Sequence, residues 1–302
     1  MENTMKLFGQ NAFTDKNLKK RVPKEVFKEF KLSQISEVEL TPKSAEVIAN
    51  AMKDWAIKRG ATHYSHWFHP LTDLTAEKHD SFLEPSSDEE IIYRFSGKNL
   101  IKGEPDASSF PNGGLRSTFE ARGYTIWDTS SPPFIKENKN GATLYIPTAF
   151  ISYNGEALDK KVPLLRSMST INKHGLRILR ALGNTTSKNV LCTLGVEQEY
   201  FLVKREFFDK REDLLLTGRT LFGAPAPKGQ ELSDHYFGKI KETVINFMSD
   251  LDVELWKVGI SSKTRHNEVA PNQFEIASLF SLANLASDQN QIVMETIEKV
   301  AL

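Results

Sequence analysis

Eight residues, Gly195-Val196-Glu197-Gln198-Glu199-Tyr200-Phe201-Leu202, constrain this chain more than any other stretch. The apolar run Val190-Leu191-Cys192-Thr193-Leu194 ahead of them reads as a buried strand leading in. Side chains alternate along a strand, so Glu197 and Glu199 leave the same face, with Cα atoms roughly 6.6 Å apart. Two carboxylates that close repel unless a positive charge lies between them. Hard divalent cations such as Mg2+ or Mn2+ take oxygen ligands of this kind. The plainer alternative for a bare E-x-E is a half-exposed strand with two solvated glutamates.

A second acidic stretch shifts the balance: His266-Asn267-Glu268-Val269-Ala270-Pro271-Asn272-Gln273-Phe274-Glu275. In an unbroken strand Glu268 and Glu275 would point to opposite faces. Pro271 cannot donate to a ladder and marks a bulge or an edge. A break there returns both glutamates to one face, where they could meet Glu199.

Composition narrows the class. The chain has 302 residues, with 39 basic and 39 acidic side chains and 39% apolar residues. A zero formal charge gives no electrostatic case for a nucleic acid or an anionic membrane partner. No apolar run nears the roughly 20 residues of a membrane span. Cys192, the single cysteine, has no intrachain partner. It reads as a buried structural thiol, which fits a reducing cytoplasm.

Taken in order, residues 1–22 are polar and basic and read as a flexible arm or a segment docking on a neighbour. Val26, Phe27 and Phe30 give helical spacing over 22–32. Thr41-Pro42 opens a clearer helix, with an apolar stripe through Val47, Ile48, Met52, Trp55 and Ala56 and a stop at Gly60. His63, His66 and His69 invite a zinc reading, but on a strand His66 faces away from the other two. No cysteine completes such a set, so packed, hydrogen-bonding histidines are expected. Strands follow at 91–95 and 123–128, with loops between them, and 129–141 reads as a linker. The runs 143–147 and 149–153 are expected to open a second domain. Helices are expected from Pro163 to Leu182, from Asp234 to Leu255 and from Asn284 to Leu302. A long loop, 218–238, lacks any Walker-type phosphate motif. The last helix has no stop signal, so the chain is expected to finish inside an element, incomplete at its C-terminal end.

The ordered pair G-x-E-x-E-Y-F-L and H-N-E-V-A-P-x-Q-x-E resembles glutamine synthetase. Phe95-Ser96-Gly97-Lys98, Gly103 to Phe110, Phe119 to Tyr124, Lys228-Gly229-Gln230-Glu231 and Asp234 to Gly238 are similar to its large type III branch. The resemblance implies an α+β chain in three parts. These are an arm with helices over 1–60, a small β-grasp domain over 61–130, and the first part of a catalytic domain over 142–302. The last would be an antiparallel sheet with flanking helices. It implies ligation of ammonia to glutamate, with ATP as co-substrate and Mg2+ or Mn2+ bound, through a γ-glutamyl phosphate. Matched by motif, Glu199, Glu268 and Glu275 resemble ligands of one metal and Glu197 a ligand of a second. His266 resembles a residue near the nucleotide phosphates, with an ordinary strand-end histidine as the alternative. Asp106, in Asp106-Ala107-Ser108-Ser109, resembles the family's D-G-S-S aspartate that holds and deprotonates ammonium, with Ala107 in place of glycine. The resemblance also implies a homo-oligomeric ring with active sites between subunits, and, because the family's later second-metal ligands are absent from this chain, a fragment expected to be inactive alone. Fold alone does not fix substrate. A related carboxylate-amine ligase or kinase, or a non-catalytic subunit of a complete enzyme, stays open.

Overall fold

The computed structural model describes residues 2–34, 38–72, 74–88, 90–110, 122–224 and 236–302. Phe119-Glu120-Ala121, the Pro111–Gly114 loop, Lys228 to Glu231 and Asp234-His235 lie outside them. The chain begins with helices α1 (Glu2–Leu7), α2 (Asp15–Lys19), α3 (Lys24–Ser33) and α4 (Pro42–Ile57). Strands β1 (Ala61–Phe68), β2 (Ala76–Ser81), β3 (Leu83–Pro85) and β4 (Ile91–Tyr93) lead to α5 (Gly97–Ile101). Then come β5 (Lys102–Gly103), β6 (Gly123–Trp127), β7 (Phe134–Asn138) and β8 (Gly141–Ser152).

These strands make a mixed sheet in the order β2-β1-β8-β6-β5, with β7 also on β8. β8 organises it. One edge runs parallel to β1, while the other pairs antiparallel first with β7 and then with β6. The change of partner falls at Pro147, which has no N–H to give a ladder. α4 covers one face. Thr41 caps it by accepting from the Ser44 N–H at 3.3 Å, and Gly60 ends it in the left-handed region at φ 80°. Ile48, Met52 and Trp55 of α4 pack with Phe82, Phe95, Leu100, Leu144 and Ile146, all buried.

The second half holds α6 (Lys161–Ala181), β9 (Thr193–Leu194), β10 (Glu197–Phe201), α7 (Arg205–Phe208) and α8 (Glu212–Thr217). α9 (Glu242–Lys257), β11 (His266–Asn267), β12 (Gln273–Ala277), β13 (Ser281–Leu282) and α10 (Ala283–Ala301) follow. A three-stranded antiparallel sheet runs β10-β12-β11. Its Phe274 and Ile276 share a core with Met248, Leu251 and Leu255 of α9 and with Ile292 and Val293 of α10. Trp67, Phe134 and Tyr145, from the other face of the first sheet, close the same core. The period-2 alternation of β8 does this, sending Leu144 and Ile146 to one layer and Tyr145 to the other.

Several expectations change. Residues 1–22 are not a loose arm: Ala12, Phe13 and Leu18 are buried, and Gly9 and Asn11 donate to the Trp256 and Lys257 carbonyls at the end of α9. A basic run had hidden these few apolar anchors. The stretch 129–141 carries β7, and 143–147 with 149–153 are one twelve-residue strand of the first sheet. A boundary at 130–142 would cut that sheet. Val190–Leu194 is not a buried strand: only Thr193–Leu194 pairs, Leu191 and Leu194 are exposed, and Cys192 is half-buried. The apolar run is covered only in part, with Val190 set against Gly175 of α6. α9 starts at Glu242 rather than near Asp234, with Lys241 at its cap position. His63, His66 and His69 are separate. His66 bonds Thr125 and the Asn99 carbonyl at 2.7 Å each, and burial holds its pKa down at about 4.

A buried polar cluster fastens α10 to the first sheet. Lys161 Nζ lies 2.6 Å from Asp288 Oδ2 and 2.8 Å from Asp128 Oδ2, with the lysine side chain 1% exposed. Burial works against the ammonium, but the two aspartates more than offset it and raise its pKa. Asn284 donates to Ser130 Oγ at 2.6 Å, and Lys136 reaches Glu295 at 2.5 Å further along α10. Removing the cation would strand two buried carboxylates. Lys161→Ala is therefore expected to lower unfolding free energy by about 3–5 kcal/mol. Urea denaturation followed by far-UV circular dichroism measures this, and an unchanged midpoint would show the cluster to be dispensable.

Candidate metal centre

β12 is the centre strand, and its register decides what meets what. Glu275 stands opposite Glu199 of β10 on one side and opposite His266 of β11 on the other. Glu199, Glu275 and His266 thus form one rung across three strands. Glu197 lies two residues along from Glu199, on the same face by strand alternation. Both are exposed, while Gln198 and Tyr200 between and beyond them point inward. Tyr200 packs on Phe247 of α9, ring centroids 5.8 Å apart, and Gln198 accepts from Asn290 of α10 at 3.4 Å.

Glu268 reaches this face by a sharper device than a bulge. After β11 the chain turns through 269–272 and re-enters as β12, closed by the Glu268 N–H donating to the Gln273 carbonyl at 2.9 Å. Asn272 takes φ 62° in that turn, a conformation asparagine tolerates better than most residues. Pro271 sits inside the turn, where no ladder bond is needed. Glu268 is two residues from His266 and so shares its face.

One ligand atom each from His266, Glu268 and Glu275 lie within 4.8 Å of one another. His266 Nδ1 is 3.2 Å from Glu268 Oε1, and Glu268 is 5% exposed. Burial raises the Glu275 pKa, helped by the nearby charges of Glu197 and Glu268. Glu199 stands at the edge of this group, where Gln273 Nε2 donates to its Oε2 at 2.5 Å. Among the described residues, no lysine or arginine forms an ion pair with any of the four glutamates. A hard divalent cation fits that donor set, with oxygen ligands, one imidazole and an excess of negative charge. A cavity of about 400 Å³ adjoins Glu268, bordered by Lys239 and Lys241.

Tyr236 belongs here too, and the sequence reading gave it no role. Its hydroxyl hydrogen-bonds Glu268, which raises the phenol pKa, and its ring lies 5.5 Å from that of His266. Its place in the Asp234 to Gly238 stretch was the available signal. Asp106 stands elsewhere, exposed at the margin of the first sheet. It is bridged to Arg122 and accepts from the Ser108 N–H at 2.8 Å.

Sheets and helices of this arrangement define a class. A cryo-EM structure of Plasmodium falciparum glutamine synthetase shares the fold at TM-score 0.53 and 16% identity, over 81% of this chain and 46% of that one. A GmaS/ADP complex does so at 0.52 and 12%, over 83% and 49%. Sequence then narrows the class. Residues 4–167 match the family model described as glutamine synthetase type III N terminal, and 177–302 match glutamine synthetase, catalytic domain. The type-3 glutamine synthetase of Dictyostelium discoideum is 50% identical over 295 residues, and the glutamine synthetase of Bacteroides fragilis is 50% identical over 294. The chain belongs to the type III glutamine synthetase family. It spans 40% of the length of each of those two relatives.

The electrostatics of the cluster have a sign that can be measured. The Glu275 pKa in the folded chain lies above its ordinary 4.5, so folding tightens proton binding there. Stability from this group is present below about pH 4.5 and is lost as pH rises through the raised pKa. With chelator present, Glu275→Gln is expected to be more stable than the parent at about pH 7, the two converging near about pH 4. Urea midpoints at both pH values check this; a parent that is the more stable at neutral pH would contradict it.

Proposed function

We propose that this chain carries the metal-binding part of a glutamate–ammonia ligase, which joins ammonia to glutamate at the cost of ATP. The observation that carries the reading is the Glu199–Glu275–His266 rung with Glu268 beside it, in a chain of this family. Glu199, Glu268 and Glu275 would hold one Mg2+ or Mn2+, and Glu197 would contribute to a second. His266 would stand near the nucleotide phosphates. The chemistry that bound cations supply is neutralisation of charge on the phosphoryl oxygens during transfer to the glutamate carboxylate. Glu268 and Glu275 set where that charge can be held, and Gln273 keeps Glu199 turned toward it. The adjoining cavity, with Lys239 and Lys241 on its border, supports a place for phosphate nearby.

The first sheet is read as the family's β-grasp unit. Its support is the central parallel pair β1–β8, flanked by the β1–β2 hairpin and antiparallel β6. Asp106, exposed at its margin, would attract ammonium and take its proton at a neighbouring subunit's metal centre, within a homo-oligomeric ring. No helix among the described residues is long and apolar enough to cross a membrane, and the lone thiol suits a reducing compartment, so the cytoplasm is the proposed location.

Metal binding tests the ligand set directly. Titration of Mn2+ by calorimetry should show Glu275→Ala weakened by at least about tenfold, since lost ligand charge lowers affinity for a hard cation. Equal affinity would remove Glu275 from the site. Subunit sharing calls for two full-length chains, Asp106→Ala and Glu199→Ala, each expected to lack glutamate- and ammonia-dependent phosphate release. Mixed within one ring they should regain part of it, because some interfaces carry both intact residues. No recovery despite proven mixing would place the whole site within one chain.

A further inference from the structure

A cavity of about 480 Å³ opens between the α1–α2 segment, the turns at 131–134 and 258–260, and one side of α10. None of the acidic residues of the metal centre borders it. Its border is cationic: Lys6, Lys16, Lys20 and Arg59 come from α1, α2 with its C-terminal cap, and the residues just past α4. Lys16 and Lys20 stand four residues apart, where like charges on a helix repel. Neither has an acidic partner among the described residues. Arg59 stacks on Trp55, 4.5 Å from the ring, and donates to the Gln10 carbonyl at 3.0 Å. Partial burial, and after it the charge of Arg21, depress its pKa. Among the described residues on the border, the acidic one is Asp288. Its Oδ2 is already held by Lys161, and its Oδ1 lies 2.8 Å from His69 Nε2.

The rim at Lys16, Lys20 and Arg59 is therefore positive, and among the described residues on the border no acid is free to answer that charge. One side is apolar: the Phe8 ring is 47% exposed, beside Val258 and Leu285. A simple anion would use the cations and leave that side wet. A ligand matching both has a planar apolar body and at least one strongly acidic group, in a space of ordinary small-molecule size. We propose that this cavity is a second nucleotide site, binding a nucleoside phosphate. Its phosphate lies against Lys16, Lys20 and Arg59, and its base lies against Phe8. The cavity touches both the segment matched to the type III N-terminal region and α10 of the catalytic region. A ligand there bridges the two.

The test uses the full-length chain in chelator, so that metal-dependent nucleotide binding at the acidic sheet is silent and the result does not depend on the ligase reading. AMP is titrated calorimetrically in about 50 mM salt, where surface charges are weakly screened. Saturable binding of one AMP per chain is expected. Adenosine, which lacks the anion, and pyrophosphate, which lacks the base, should each bind at least about tenfold more weakly. Lys16→Glu with Lys20→Glu should weaken AMP by at least about tenfold, and Phe8→Ala should weaken it while leaving pyrophosphate unchanged. If the charge-reversed chain does not fold by circular dichroism, Lys16→Gln with Lys20→Gln replaces it with the same expectation. Absence of saturable AMP binding, equal binding by the lysine variants, or pyrophosphate binding as tightly as AMP would each overturn the proposal.

Discussion

One buried ammonium, that of Lys161, holds the relation between the two halves of this fold. It sits between Asp128, just past β6, and Asp288, in the second turn of α10. Hydrophobic contact alone would let α10 slide on Trp67, Phe134 and Tyr145, because burial has no direction. Charges in a dry interior do have direction, and a displaced partner would be costly. Asn284, four residues before Asp288, and Glu295, seven after it, extend the contact along one face of the helix. α10 is thus fixed in rotation and in register. Through Asn290 against Gln198 it carries that registration to β10, whose other face bears Glu197 and Glu199.

The acidic rung shows the opposite use of charge. The Lys161 cluster pairs each carboxylate, whereas the sheet collects carboxylates on one face, met among the described residues by an imidazole, a phenol and an amide. Repulsion is tolerated because the backbone ladder sets the positions and the hydrophobic underside anchors them. Phe274 and Ile276 are buried on the face opposite Glu275. The alternation that drives them into the core forces Glu275 outward into its neighbours. Such an arrangement has no low-energy way to relax: burial first, and the charges of Glu197 and Glu268 after it, raise the Glu275 pKa, and the same crowding suits the face to a cation.

The two halves differ in how completely they are covered. α4 buries most of its stripe, with Ile48, Met52 and Trp55 at 0% exposure, while in α6 Ile171 is 49% and Ile178 61% exposed. Phe201, Phe207, Phe222 and Phe280 are exposed as well. A surface this apolar favours association. Both helices carry an apolar stripe in sequence, so amphipathicity says that a helix has an apolar face and not what will cover it.

That limit separates what was legible from what was not. Local pattern was enough for α3, α4 and α10, where spacing, a Thr-Pro start or a glycine stop acts within a few residues. The placement of Glu197 and Glu199 on one face likewise follows from a period of two. The errors arise where the deciding partner is distant. Phe134 and Ile135 looked like part of a polar linker, yet they form a strand because β8 is there to pair with them. Phe13 and Leu18 lie in a stretch read only as polar and basic, yet they anchor it to the body. The contact that matters most, Lys161 to Asp288, spans 127 positions. Nothing about a lysine near the start of an amphipathic helix announces that it will be buried. Only its neighbours in space make it so, and those are set by the closure of β8 against β1, β6 and β7 rather than by any pattern around the lysine itself.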